Sequence, residues 1–344
     1  MKIWHRPIVG LLIAGTLTIG AHTTAGAQDF YKGKTITYNI ATATGGSWDV
    51  YLRIVIKHLA RHISGNPTIV LQYMPGAGGA RALNYSYEVA PKDGTYIATP
   101  LPTSLLFAQL DPAKISAKPR DFQWIGRFAK TQDVIFVWHG ANIASLDDAK
   151  KRSINMGVSG PASNLFFDIM MANRFLGTQF KPVLGYQGTA EIDLAIERGE
   201  LEGRAGPWDG LVATKAAWLN DKKIKVLAQI GLDKLPALAD VPLLSDLVSD
   251  KKEKAAAELI GAYYTAGRVI YTPPRVPSER VNELRAAFMA AMSDPAYERD
   301  VQAAKLSSGE AMSGDALQAL LTKIFDADPD TIALAKKAIA ADRN

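Results

Sequence analysis

No cysteine occurs in the 344 residues, which excludes disulfides, thiolate metal sites, a cysteine nucleophile and a lipid-modified cysteine at the start of a mature chain. Histidine is scarce too: there are five, and His139 is the last. A surplus of one charge is also lacking, with 39 basic residues against 34 acidic ones and a formal charge of +5. The basic residues are scattered rather than clustered, which argues against nucleic acid as a partner and for a merely soluble surface. Only one long apolar run is present, from Ile8 to about Ile19. It is shorter than the roughly 20 residues a membrane-spanning helix requires.

That run follows Lys2, His5 and Arg6 and leads to Ala25-Gly26-Ala27, the pattern of a secretory leader cleaved after an A-x-A site. The expectation is a leader over 1–27 and a mature chain starting at Gln28, its charge reduced to +3 by the loss of Lys2 and Arg6. An exported chain without an anchor points to the periplasm of a double-membraned bacterium, with secretion as the alternative. The 317 residues left after removing 27 from 344 exceed the size at which one core usually divides, so two lobes are expected.

Strand-like and helical runs alternate along the chain, the signature of an α/β fold with a largely parallel sheet. The first series reads Thr35–Ile40, a helix near Trp48–Ile63 capped by Ser47, then Thr68–Gln72, a helix near Ala80–Ala90, and Tyr96–Thr99. The second runs from Val134–Trp138 through Ile154–Val158, Lys181–Leu184 and Leu201–Arg204 to Lys225–Gln229, with helices between them. Crossings near Phe128–Asp133 and Tyr263–Tyr271 would divide the chain into one lobe of 28–130 plus 263–344 and another of 131–262. In this reading the C-terminal helices return to the first lobe.

Turns that join an apolar strand to a helix are the places to seek chemistry. They lie at the carboxyl edge of an open α/β sheet, where helix N-termini offer unpaired N–H groups and a positive dipole end to an anion. The candidates are Thr44–Asp49, Gly76–Gly79, Ser159–Asn164 and Gly185–Thr189. Glycine permits close backbone approach there, although it also simply makes tight turns.

The same turns carry a resemblance. Ala41-Thr42-Ala43-Thr44-Gly45-Gly46-Ser47-Trp48-Asp49 matches a first-loop pattern P-F-A-A-G-G-x-x-D, followed by MPGAGG at 74–79, APKDGT at 90–95, Gly157–Ser163, Gly185-Tyr186-Gln187-Gly188 and LPALADVP at 235–242. In these motifs the chain resembles, nearly end to end, the solute receptors of tripartite tricarboxylate transporters, the Bug family. The resemblance implies an α/β, two-lobed periplasmic-binding-protein fold (type II-like) with two crossover hinge segments and a ligand cleft between the lobes. It also implies a small carboxylate ligand and delivery to the membrane permease subunits of such a transporter; a monomer without a cofactor or a protein metal site is expected beside it. Carried over residue by residue, the ligand site comprises Thr44, Gly45, Gly46, Ser47 and Asp49 from one lobe and Ser159, Ala162, Ser163 and Asn164 from the other. Gly76, Ala77, Gly78, Gly79, Gly188 and Thr189 would line the same cleft.

Departures from that pattern mark candidate specificity residues. The usual proline is Ala41, and Trp48 either walls the pocket, suiting an aromatic or apolar solute, or packs beside the first helix. Asp49 would repel an anion directly, so its expected role is to bond backbone amides and shape the loop. Tyr186 and Trp208 are candidates to stack on the solute, and Asp209, next to Trp208, is a further ligand-site candidate. Arg204 either pairs with a ligand carboxylate or forms an internal pair with Glu200, Glu202 or Asp209.

Enzymatic readings lack their partners. Gly76-Ala77-Gly78-Gly79-Ala80-Arg81 begins as a dinucleotide fingerprint but ends in arginine. Gly157-Val158-Ser159-Gly160-Pro161 approaches the hydrolase nucleophile turn, yet proline replaces its last glycine and no histidine follows. An exported serine hydrolase using Ser159 remains the alternative, as does a receptor that presents its ligand to a membrane sensor. His58 and His62 have zinc-like spacing, but Leu59 stands where a metalloprotease needs glutamate.

Overall fold

The computed structural model describes residues 1–2, 30–306 and 311–340. Apart from its first two positions, the expected leader lies outside the described residues. The strands, in chain order, are β1 (Thr35–Ile40), β2 (Thr68–Tyr73), β3 (Tyr96–Thr99), β4 (Gln123–Ala129), β5 (Asp133–Trp138), β6 (Ile154–Gly157), β7 (Phe180–Val183), β8 (Gly203–Pro207), β9 (Ile224–Ile230), β10 (Arg268–Thr272) and β11 (Met312–Ser313). They form two sheets, β11-β4-β10-β3-β1-β2 and β7-β6-β8-β5-β9, each the centre of one lobe.

Local patterning explains the layers. Ile36, Tyr38 and Ile40 alternate along β1 onto one buried face, where they meet Tyr51, Leu52, Val55 and Leu59 from one side of the helix Ser47–His62. Each such side chain contributes about 1.5–3 kcal/mol on full burial, so this strand–helix unit is a firm support for the loop between its two parts. Gly46, rather than Ser47, is the N-cap of that helix, and it supplies no capping side chain.

The sheets are less parallel than the sequence suggests. β1 runs parallel to β2 and β3, and β6 runs parallel to β7 and β8, but β10 opposes both β3 and β4 while β5 opposes both β8 and β9. The reversals have a geometric cause. They bring the end of β4 and the starts of β5 and β10 to the edge where β1, β3, β6 and β8 terminate, so the chain changes lobes at the cleft edge. The first crossing is Lys130–Gln132 and the second centres on Gly267, between the helix Lys251–Ala266 and β10. The two lie side by side: Gly267 adopts φ +81°, and a β-carbon there would stand 2.3 Å from the Ala129 carbonyl oxygen.

The C-terminal region departs from the expected division. The helices Ser278–Met292 and Gly314–Phe325 pack on β4 in the first lobe, but the last helix, Pro329–Ile339, packs against Asn164–Leu176 in the second lobe as well as Lys251–Ala266. Buried apolar side chains therefore run without a break from Trp124 and Tyr271 through Tyr263 and Tyr264 to Phe167 and Ile169.

Candidate functional site

Loops leaving the ends of β1, β2 and β3 in one lobe and β6, β7 and β8 in the other surround a cleft of about 510 Å³, within the usual range for a small-molecule site. Of the residues singled out from the sequence, Thr44, Gly46, Trp48, Gly76, Ala77, Gly78, Gly79, Ser159, Asn164, Tyr186, Gly188 and Thr189 line it. The opposite walls meet. A β-carbon on Gly78 would fall 2.2 Å from the carbonyl carbon and oxygen of Ala162, and one on Gly46 would lie 4.0 Å from Thr189 Oγ1. The lobes thus stand closed on one another at their rims.

The first loop is built to expose backbone donors. Asp49 Oδ2 accepts from Gly45 N at 2.9 Å, and its Oδ1 accepts from the Tyr73 hydroxyl and faces Arg53 Nε at 3.0 Å. Burial pushes the Asp49 carboxyl up, but the bonds from Tyr73, Gly45 and Arg53 outweigh it and hold the group below its ordinary range. Asp49 therefore shapes the loop, lies outside the cleft lining, and occupies the Gly45 amide that the sequence offered to a ligand. Asp49 and Val50 N–H groups bond to the Gly46 carbonyl. Ser47 and Trp48 amides, in the first turn of the same helix, precede any intrahelical acceptor.

Beside them in the same lobe, Gly76-Ala77-Gly78-Gly79 turns with positive φ throughout: +131°, +47°, +60° and +95°. Glycine at three of these positions relieves the clash that a side chain suffers in the left-handed region. In the second lobe Ser163 caps the helix Asn164–Leu176, accepting from Phe166 N at 3.3 Å and donating to Gly160 O at 2.7 Å. It is buried in that role, and Ala162 is buried against Gly78, so neither lines the cleft; Ser159 does. Gly188 is the uncapped N-cap of the helix Thr189–Glu197.

The cationic and acidic candidates fall elsewhere. Arg204 is 2% exposed. Its Nε and Nη2 bond to the two oxygens of Asp193 at 2.6 and 3.3 Å, and its guanidinium covers the Phe136 ring at 5.0 Å. The partner is thus neither a ligand nor Glu200, Glu202 or Asp209. Asp209 instead pairs through both oxygens with Arg268, whose guanidinium lies 4.7 Å from the Trp48 ring and 4.9 Å from the Tyr51 ring. Trp48 consequently does both things the sequence allowed, facing the cleft on one side and packing on a buried cation on the other. Trp208 is partly buried in the core, and its backbone N–H bonds to the Gln132 carbonyl at the first crossing. Among the described lining residues Glu191 alone carries a charge, and its Oε2 accepts from Gln187 N at 2.8 Å.

No protein-family model matches the chain, and no curated protein matches it either. Solved structures do. The periplasmic binding protein BugD superposes with a TM-score of 0.71 over 90% of this chain and 98% of its own, at 18% identity. The fold is that of a periplasmic binding protein. MatC from Rhodopseudomonas palustris, solved with bound malate, gives 0.68 over 89% and 99% at 16% identity. Rpa4515 from R. palustris, solved with adipate, gives 0.62 over 85% and 94% at 18%. In this binding-protein fold the facing strand-end loops form the two sides of the cleft, and the chain passes between the lobes at Lys130–Gln132 and Gly267.

Proposed function

We propose that the chain is a periplasmic solute receptor that closes on a small carboxylate and hands it to the permease subunits of a tripartite tricarboxylate-type transporter. The observation that carries this reading is the convergence of uncapped helix starts from both lobes, at Ser47 and Thr189, on one cleft lined by glycine turns. Each such end favours an anion by about 0.3–1 kcal/mol, and by up to about 2 kcal/mol where partly buried. Malate in MatC and adipate in Rpa4515 supply the ligand class by analogy. Binding acts by population: a solute that touches both lobes favours the closed state to the extent that it binds that state more tightly.

Hydrolysis at Ser159 fits the geometry less well. Ser159 follows the end of β6, which runs parallel to β8, whereas His139 follows the end of β5, which opposes β8, so the two stand at opposite edges of the sheet. His58 and His62 are engaged with Asp294 and Asp300 on the first lobe. A thermal-shift screen of aliphatic and aromatic carboxylates tests the receptor reading, since a ligand at 100 times its Kd adds about 2.7 kcal/mol of stability. Stabilisation by sugars or cations but by no carboxylate would refute it. Turnover of an ester that is abolished by Ser159→Ala would replace it with the hydrolase. Uptake of a labelled ligand, unchanged in cells lacking the protein, would remove the transport role.

A further inference from the structure

Under the second-lobe wall of the cleft lies a group of charges that the glycine turns do not use. Asp133, the first residue of β5, and Asp168, one helical turn beyond Asn164, are 1% and 0% exposed, and each carboxyl acts electrostatically on the other. Asn164 Nδ2 donates to Asp133 Oδ2, and the Tyr264 hydroxyl donates to Asp168 Oδ1 at 2.6 Å. Among the described residues, Asp168 Oδ2 accepts from no N–H or O–H donor.

Two ionised carboxylates cannot donate to each other, and at about 4 Å with an effective dielectric of about 20 they repel by about 4 kcal/mol. One proton between them removes the repulsion and supplies the donor that Asp168 Oδ2 lacks. The remaining neighbours do not substitute for it. Asp209 and Arg268 face Asp133, but Arg268 is bound through two nitrogens to Asp209; Tyr264 faces both carboxyls and already donates to Asp168. Burial accordingly pushes Asp133 up to about 6 and Asp168 well above the usual carboxylate range.

We propose that Asp133 and Asp168 hold one proton between them and that this protonated pair positions Asn164 in the cleft, coupling ligand affinity to a proton bound beside the crossings. The role of Asn164 toward a ligand rests on the receptor reading above. The placement fits such coupling: Asp133 directly follows the first crossing, Tyr264 lies just before the second, and Asn164 lines the cleft. The sign follows from linkage. The folded pair keeps a proton that the unfolded chain releases above about pH 3.9, so its contribution is present at low pH and lost as pH rises through the folded values. With the proton gone, repulsion drives the helix Asn164–Leu176 away from β5 and takes Asn164 with it.

Asp168→Asn tests this in the full mature chain. The amide can accept from Tyr264 and donate permanently to Asp133; it cannot titrate, and its N–H favours the ionised Asp133 carboxylate in place of the shared proton. Without ligand, the side-chain amide resonance of Asn164, assigned by its loss in Asn164→Ser, is followed from about pH 5 to about pH 9 by NMR. It should move in the parent protein and stay fixed in Asp168→Asn. A resonance fixed in both proteins, or moving equally in both, would overturn the proposal. In calorimetry with adipate over the same range, the parent should weaken with rising pH, by at most about tenfold per pH unit for one linked proton, and Asp168→Asn should not. Equal slopes would overturn the coupling, whereas failure of both proteins to bind any carboxylate would refute the receptor reading and leave the amide titration to judge the pair. Asp133→Asn provides the same comparison should Asp168→Asn fail to fold.

Discussion

Gly78→Ala should act as a wedge that opposes closure. The new β-carbon would stand 2.2 Å from the Ala162 carbonyl and 2.6 Å from its β-carbon, where ordinary contact begins at 3.4 Å. The rims must therefore part by about 1 Å at that point, because the obstacle is largely backbone and cannot rotate aside. Overpacking of this kind costs about 1–3 kcal/mol, and only the closed state bears it. A ligand that requires closure should bind about 5- to 150-fold more weakly. Alanine at φ +60° carries a second cost of about 1–2 kcal/mol for its left-handed backbone, which falls on open and closed forms alike and lowers stability instead. Gly177→Ala separates the two effects: Gly177 has φ +72° and no atom of the described residues within 4 Å of its would-be β-carbon, so this variant should melt earlier yet bind normally. Calorimetry gives the affinities, and small-angle scattering with saturating ligand shows whether Gly78→Ala stays extended. Equal affinity in the two variants would refute the closed-contact reasoning.

Arg204→Ala should destabilise by about 3–5 kcal/mol, because it leaves the Asp193 carboxylate buried without its cation; the double change Arg204→Met with Asp193→Leu should recover most of that in urea unfolding. A loss under about 1 kcal/mol would return Arg204 to the list of ligand contacts. On the outer face of the first lobe, bonds from Lys57 and His58 hold the Asp300 carboxyl down to about 2. A depressed carboxyl stabilises above its unfolded value of about 3.9 and loses that contribution as pH falls toward about 2, so Asp300→Asn should flatten the acid limb of a melting-temperature profile. An unchanged acid limb would mean that the contacts of Asp300 contribute nothing in solution.

Local pattern made much of the fold legible. β1 and β3 fall on the expected residues because alternation and flanking turns mark them unambiguously. β4, with the sequence QWIGRFA, carries no legible period: it is buried on both faces and its glycine interrupts any alternation, yet Gly126 is required because a β-carbon would strike Phe288 at 2.1 Å. The apolar run Gly261–Tyr271 is helix in its first half and strand in its second, and the break at Gly267 is set by contact with Ala129, far away in sequence. The site shows the same limit. Glycine turns are a local feature and were readable, whereas the partner of Arg204 was not. Glu202 lies nearer in sequence, but it accepts from Asn155 N and pairs with Arg152, and packing of the helix Thr189–Glu197 on β8 presents Asp193 instead. The buried carboxyls gave no sequence signal at all, since Asp133 and Asp168 are 35 positions apart and meet only through the sheet.

The last helix changes how the molecule can be divided. Pro329–Ile339 lies on Asn164–Leu176 of the second lobe although the chain leading to it belongs to the first, so the second lobe is completed by chain from the first. A second lobe excised between the crossings would expose the apolar flank that Ala335 and Ile339 cover, a surface prone to self-association. Deleting only the tail would injure the lobe it does not belong to by sequence. Neither side of the cleft is therefore closed off as a packing unit by its own stretch of chain.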